Sequence, residues 1–255
     1  MAYKIMVDAG HGGTDPGAVY NGRQEKDDTL SLAMRIGEEL RNAGFSVEYT
    51  RTTDVYDTPF EKASKANESG ANLFVSIHRN SSPTANNFNG VQTLVYSDTG
   101  FKAQLARNIN ENLEGLGFRN LGVVERPNLV VLKRTQMPAV LVEVGFINSD
   151  SDNSLFDENT DGIATAIADA IIDTLANQGI YGQGGSNYSV QVGAFRNRNL
   201  AINLVYELRN QGFQANLVMD DGLFKVRIGT FESLDQAVEL EQMLRMLGYN
   251  TFIVS

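Results

Sequence analysis

Short apolar runs of strand length alternate with longer stretches whose apolar residues recur every three or four positions, and this alternation over residues 1 to 180 constrains the fold more than any other feature. The runs Lys4 to Val7, Ser46 to Thr50, Leu73 to Ile77, Val91 to Val95, Leu129 to Leu132 and Val140 to Val142 read as strands. Helical patterns occupy Thr29 to Ala43, Pro59 to Ser69, Phe101 to Leu116 and Asp161 to Asn177. Strands interleaved with helices imply an α/β fold, a mixed and mostly parallel sheet flanked by helices in a phosphorylase/hydrolase-like arrangement.

The pattern stops at Ile180-Tyr181-Gly182-Gln183-Gly184-Gly185-Ser186-Asn187, whose glycines and polar residues predict a flexible connector. The expected organisation is therefore a domain over 1–179, a linker over 180–187 and a second domain over 188–255. In the tail, Val192-Gly193-Ala194-Phe195 returns as Ile228-Gly229-Thr230-Phe231, and Gly212-Phe213 returns as Gly248-Tyr249, both offset by 36 (228 − 192 and 248 − 212). Each half reads strand, helix, strand, so the pair predicts a small α+β ferredoxin-like βαββαβ domain. Alternation places Val190, Val192, Val226 and Ile228 beneath the helices, and Ser189, Gln191, Lys225 and Arg227 on the open face as candidate ligand contacts.

Chemistry concentrates at the ends of the apolar runs. The chain has two His, and each directly follows such a run: Ile5-Met6-Val7-Asp8-Ala9-Gly10-His11 and Leu73-Phe74-Val75-Ser76-Ile77-His78. In parallel α/β sheets, ligands bind beyond the carboxyl ends of the strands, which puts both imidazoles in the expected crevice. Two imidazoles and a carboxylate suit a catalytic zinc, and with no Cys in the chain the third ligand must be an acid. Asp15, Glu25, Asp27 and Asp28 are all within reach by spacing, although Asp27 and Asp28 could instead cap the following helix. Glu143 ends a third apolar run, Pro138-Ala139-Val140-Leu141-Val142-Glu143, and is expected to share the crevice.

The net charge of −10 disfavours nucleic acid and anionic membranes as partners. No apolar stretch reaches the roughly 20 residues of a bilayer span. The opening Met1-Ala2-Tyr3-Lys4-Ile5 lacks the basic leader of a secretory signal, so synthesis and retention in the cytoplasm until something else releases the protein is the expectation.

These motifs resemble the zinc N-acetylmuramoyl-L-alanine amidases that carry Asp-x-Gly-His-Gly-Gly at their first strand. The likeness covers Asp8-Ala9-Gly10-His11-Gly12-Gly13 with Asp15-Pro16-Gly17, then Glu25-Lys26, Ser76-Ile77-His78 with Asn80, and Pro138 to Phe146. It implies one Zn2+ per chain held by His11, Glu25 and His78, with Glu143 as catalytic acid/base and a peptidoglycan substrate carrying stem peptides. Asn80, together with Arg79 and Lys133, where such enzymes often have a small residue and an Arg, would border the substrate. The tail resembles a SPOR domain through Tyr188 to Phe195, which implies binding of glycan strands stripped of stem peptides. A monomer is expected. The rival readings are a zinc carboxypeptidase acting on wall peptides and a non-catalytic wall-binding protein.

Overall fold

The computed structural model describes residues 3–179, 188–220, 222–231 and 234–254, so the predicted connector at 180–187 lies outside the described residues. The chain forms two compact units, Met1–Thr174 and Leu175–Ser255.

In chain order the first unit contains β1 (Lys4–Ala9), β2 (Val19–Tyr20), β3 (Arg23–Gln24), α1 (Glu25–Asn42), β4 (Ser46–Tyr49), α2 (Pro59–Ser69), β5 (Leu73–Asn80), β6 (Val91–Val95), α3 (Gly100–Glu114), β7 (Asn120–Glu125), α4 (Val130–Arg134), β8 (Ala139–Phe146), α5 (Asp150–Glu158) and α6 (Thr160–Asn177), whose last residues pass into the second unit. Six strands form one sheet in the order β4-β1-β5-β8-β6-β7. All neighbours are parallel except β6 and β8. Ile5, Val7, Leu73, Val75, Ile77, Val140 and Val142 are all fully buried, as expected of a parallel sheet covered on both faces.

Local chemistry sets the helix limits. Thr58 and Glu61 form a reciprocal capping box at the start of α2, Pro59 occupies its first turn, and Gly70 ends it at φ 67°. Between β2 and β3 the chain reverses through Asn21 and Gly22, both at positive φ (50° and 84°), a two-residue hairpin that delivers the chain directly into Glu25, the first residue of α1.

Two expectations are corrected here. Leu129 to Leu132 is not a strand: Val130–Arg134 is a short helix that buries Val131 and Leu132 and leaves Lys133 and Arg134 outward. Four consecutive apolar residues fit either element, and periodicity alone does not separate them. The first helix begins four residues earlier than Thr29, so Asp27 and Asp28 lie within its first turn rather than before it.

The second unit contains β9 (Tyr188–Phe195), α7 (Arg198–Asn210), β10 (Ala215–Asp220), β11 (Leu223–Phe231), α8 (Leu234–Met246) and β12 (Phe252–Val254). Its sheet runs β10-β11-β9-β12, antiparallel throughout. The sequence repeat is written into its hydrogen bonds. Phe213 N donates to Leu208 O and Gly212 N to Arg209 O, while Tyr249 N donates to Leu244 O and Gly248 N to Arg245 O, the same helix-terminating motif twice. In each half a glycine lies under the ring of the Phe two residues on: an added Cβ would lie 2.5 Å from Phe195 at Gly193 and 2.3 Å from Phe231 at Gly229. The register repeats too, pairing Tyr188 with Phe231, Phe195 with Phe224 and Gln191 with Arg227.

Val190, Val192, Val226 and Ile228 are buried with Ala201, Val205, Leu208 and Leu244, as alternation predicts. Gln191 departs from the expectation of an exposed contact, because it is only 2% exposed. It lies on the inner strand β9 with Arg227 and Phe252 as lateral register partners, and these larger side chains flank it on both sides. Ser189, Lys225 and Arg227 are half-buried, and both cations pair with Asp220, at 2.6 Å for Lys225 and 3.2 Å for Arg227.

Candidate metal centre

Three strands and one helix converge on the site. His11 follows β1, in a turn that holds it at φ 58°, and His78 lies on β5. Their rings meet edge to face with centroids 4.9 Å apart. Glu25, 4% exposed, joins them from the start of α1: His11 Nε2 is 3.1 Å from Glu25 Oε2 and His78 Nδ1 is 2.9 Å from Glu25 Oε1. One ligand-type atom from each of the three lies within 4.8 Å of the others, the one such grouping among the described residues.

The carboxylate is held from behind by backbone. Ala18 N donates to Glu25 Oε2 at 2.9 Å and Arg79 N donates to Glu25 Oε1 at 3.0 Å. Burial pushes the Glu25 carboxyl upward, but the hydrogen bonds and charges of His11 and His78 overcome this and hold it far below the usual carboxylate range. Burial pushes the His11 imidazole down, and Glu25 with Asp15 outweighs it, leaving His11 above its ordinary value. Asp15, one of the acids within reach by spacing, takes the other ring nitrogen: His11 Nδ1 is 2.9 Å from Asp15 Oδ2. A metal-binding His commonly has a carboxylate on its second nitrogen, which fixes the ring.

Glu143 is the Cα partner of His78 across β5 and β8, so their side chains share a face of the sheet. Burial pushes its carboxyl up, His78 opposes this, Glu25 adds to it and His11 opposes it; the net direction is upward. Its Oε2 is buried and makes no hydrogen bond. Gln92 of β6 is the Cα partner of Glu143 on the other side and places a carboxamide on the same face, a position that apolar patterning does not reveal.

Two glycines leave room for the cluster. A Cβ on Gly10 would fall 2.5 to 2.7 Å from the His78 ring, and one on Gly17 would fall 2.6 Å from both Glu25 Oε2 and His11 Cδ2. Gly10 and Gly17 are thus fixed by the close approach of the His11, Glu25 and His78 side chains.

Under the site lies a buried polar cluster that the sequence reading missed. Asp8, 1% exposed, accepts from Lys62 Nζ at 2.8 Å, Thr50 Oγ1 at 2.6 Å and Ser76 Oγ at 2.6 Å. Burial pushes the Asp8 carboxyl up, and Lys62 with the two hydroxyls reverses this, leaving it low. Arg51 donates to the carbonyls of Ala9, Gly10 and Lys26 and so braces the turn that carries His11. An acid inside an apolar run was the available signal for Asp8.

The remaining candidates divide. A cavity of about 260 Å³ is lined by His11, His78, Asp15, Lys62, Leu129, Val131 and Leu141 among others. Asn80 is half-buried on the same strand as His78, and its Oδ1 accepts from Ser81 N at 2.8 Å. Lys133 is exposed on α4 and does not line the cavity. Arg79 is corrected as a substrate contact: it is 2% exposed, with Nη1 2.6 Å from Asp28 Oδ2 and Nη2 2.7 Å from Asn153 Oδ1. Alternation along β5 turns it away from the face that carries His78.

Both units have relatives among known proteins. Residues 5–173 match the Amidase_3 family, described as N-acetylmuramoyl-L-alanine amidase, and residues 184–255 match the SPOR domain. The chain is 32% identical over 229 residues to the sporulation-specific N-acetylmuramoyl-L-alanine amidase of Bacillus subtilis, covering 86% of this chain and 85% of that one. It is 34% identical over 223 residues to the amidase CwlM of Bacillus licheniformis, again covering 86% and 85%. Among solved structures, an N-acetylmuramoyl-L-alanine amidase from Clostridium difficile 630 superposes with a TM-score of 0.64 at 31% identity, over 71% of this chain and 99% of that one.

Proposed function

Since this chain belongs to the Amidase_3 family of N-acetylmuramoyl-L-alanine amidases and carries a SPOR domain, it is a peptidoglycan hydrolase, and we propose that His11, Glu25 and His78 hold one zinc ion beside Glu143. The observation that carries the reading is the convergence of two imidazoles and one desolvated carboxylate at the ends of β1, α1 and β5, with an acid of raised pKa on the neighbouring strand. Two nitrogens and one oxygen with no thiolate is a donor set that suits zinc and leaves a coordination position open.

A zinc ion bound there supplies a Lewis acid that polarises the scissile carbonyl and makes water acidic near neutral pH. The chain's own residues do the rest. Glu143, with Oε2 free, accepts the proton of the attacking water and returns it to the leaving nitrogen, which departs as the amine of L-alanine. Its raised pKa makes the carboxylate a stronger base toward the water, and the carboxylic acid so formed is still more acidic than an ammonium group, so return of the proton to the leaving nitrogen remains favourable. Asp15 keeps the His11 ring oriented, and the backbone N–H groups of Ala18 and Arg79 keep Glu25 ionised and fixed. The bond cleaved is the amide between the lactyl group of N-acetylmuramic acid and the stem peptide.

The tail delivers this centre to its substrate. Its open sheet face, with Ser189, Lys225 and Arg227, is the proposed contact for glycan stripped of stem peptides.

Digestion of purified peptidoglycan followed by mass analysis tests the reading. Release of intact stem peptides with a free L-alanine amine, leaving unsubstituted muramic acid, is expected. Cleavage inside the stem peptide would replace the amidase assignment with the carboxypeptidase one.

A further inference from the structure

Glu25 occupies the least secure position that a helix offers. It is the first residue of α1, and the residue before it, Gln24, makes no side-chain cap. First turns fray, because their N–H groups have no partners within the helix. A metal ligand, in contrast, must stay within about 0.5 Å of its working position. Something outside the helix has to hold this turn against β5.

Arg79 is placed to do so. Its backbone N–H bonds Glu25 Oε1 at 3.0 Å, and its guanidinium reaches Asp28, one turn further along α1, at 2.6 Å. Asp28 Oδ2 also accepts Arg23 Nε at 2.7 Å, and Arg23 reaches Asp157 of α5 at 2.7 and 3.0 Å. Both guanidinium groups lie over the Phe156 ring, at 4.2 Å for Arg79 and 5.2 Å for Arg23. Two cations and two carboxylates therefore tie β5, α1 and α5 together on the side of β5 away from the His78 ring. Asn153 takes the remaining prong of Arg79 at 2.7 Å.

We propose that Arg79 and Asp28 form a positioning pair for the metal centre, setting the distance between Glu25 on α1 and His78 on β5. The proposal rests on the reading of His11, Glu25 and His78 as zinc ligands. Arg79 touches neither substrate nor reacting atoms; it acts through Glu25. A Lys in its place would keep the charge but lose the planar fork that spans Asp28 and Asn153 together.

The test measures two quantities on the full chain: the zinc dissociation constant, by competition with a chromogenic chelator, and the unfolding temperature of the metal-free protein. Arg79→Ala and Asp28→Asn are each expected to weaken zinc binding by about 10- to 100-fold. The double variant should be no weaker than the weaker-binding single, because the two residues act as one unit. Arg79→Lys should fall between Arg79→Ala and the parent. Asn110→Ala is the control: Asn110 is buried, bonds Thr93 and Gly122 O, and touches no ligand residue, so its loss should lower the unfolding temperature and leave zinc affinity as in the parent. Should Arg79→Ala fail to fold, Asp28→Asn, which keeps the side-chain shape, carries the test. Parent-like zinc affinity in Arg79→Ala or Asp28→Asn, with only a lowered unfolding temperature, would overturn the pair alone. A parent that takes up no zinc would overturn the metal reading and this inference together.

Discussion

His78 and Glu143 sit directly across from each other in the parallel ladder of β5 and β8, as Cα partners. The ladder thus holds a ring nitrogen of the proposed metal site and the proposed proton carrier at a spacing set by backbone hydrogen bonds, with no loop between them. Their roles nevertheless separate under mutation. Glu143→Gln should bind zinc as the parent does and lose turnover by about 10²- to 10⁴-fold, the usual worth of a general acid/base. His11→Ala, His78→Ala and Glu25→Ala should lose zinc and activity together, and Asp27→Ala neither. Metal content and peptidoglycan turnover measured on the same samples check this. A Glu143→Gln enzyme near parental turnover would remove the assignment.

Removal of metal should be reversible and visible in stability. Chelator treatment should abolish hydrolysis, and zinc should restore it. At a free zinc concentration 100 times the dissociation constant, stabilisation of about 2.7 kcal/mol is expected from mass action. Thermal unfolding across a zinc titration measures it, and a midpoint independent of zinc would contradict the site.

Gly10→Ala should damage the metal centre more than the fold. The added Cβ would meet the His78 ring at 2.5 to 2.7 Å, so the imidazole must move, while the surrounding strand pairing does not depend on that ring. Zinc affinity is expected to fall at least as far as in a loss of ring support, about 10-fold or more. Isothermal titration checks this, and unchanged affinity would show that the ring can shift without cost.

The acid limb of stability should depend on Asp8. Its folded carboxyl binds a proton less tightly than the unfolded one, which has a pKa near 3.9. Its contribution is therefore complete above that value and lost as pH falls through the lowered folded value. Asp8→Asn should be less stable at neutral pH, because Lys62 loses its partner, and should lose less additional stability on acidification. Urea midpoints at pH 6 and pH 3 for both proteins give the difference of differences, and equal pH slopes would refute it.

A chain ending at residue 179 should still cleave small soluble muropeptides while losing retention on peptide-stripped glycan. Co-sedimentation with such glycan and cleavage of soluble fragments give the two readouts. Equal sedimentation of full-length and shortened protein would remove the binding role of the tail.

Much of this was legible in the sequence because the residues concerned obey period rules. His11, His78 and Glu143 each end an apolar run, and strand ends in a parallel sheet converge. Glu25 was one acid among four by spacing, and only the resemblance to the amidases singled it out. Its place follows from the β2–β3 hairpin, which the Asn21-Gly22 pair signals and the apolar pattern does not. Arg79 was placed beside the substrate only through the resemblance to the amidases, whereas its partners Asp28, Asn153 and Phe156 come from segments 51 to 77 residues away, as the numbering 28, 153 and 156 against 79 gives. Gln191 was misplaced for a similar reason: alternation gives the face of a sheet and says nothing of the lateral neighbours that cover it.

In the tail, Gln191 and Arg227 are both repeat equivalents, 36 residues apart, and register partners, while Tyr188–Phe231 and Phe195–Phe224 exchange under the same offset. An approximate two-fold axis therefore passes between Gln191 and Arg227, perpendicular to the sheet. The backbone of the open face looks much the same to a polymer laid in one direction or rotated by half a turn. Glycan strands have distinct ends, so any preference for one orientation must come from side chains that break the symmetry. Lys225 and Arg227 stand where the first repeat has Ser189 and the buried Gln191, so both cations fall on one half of the domain, and orientation on this face would be read from such side-chain differences and not from the fold.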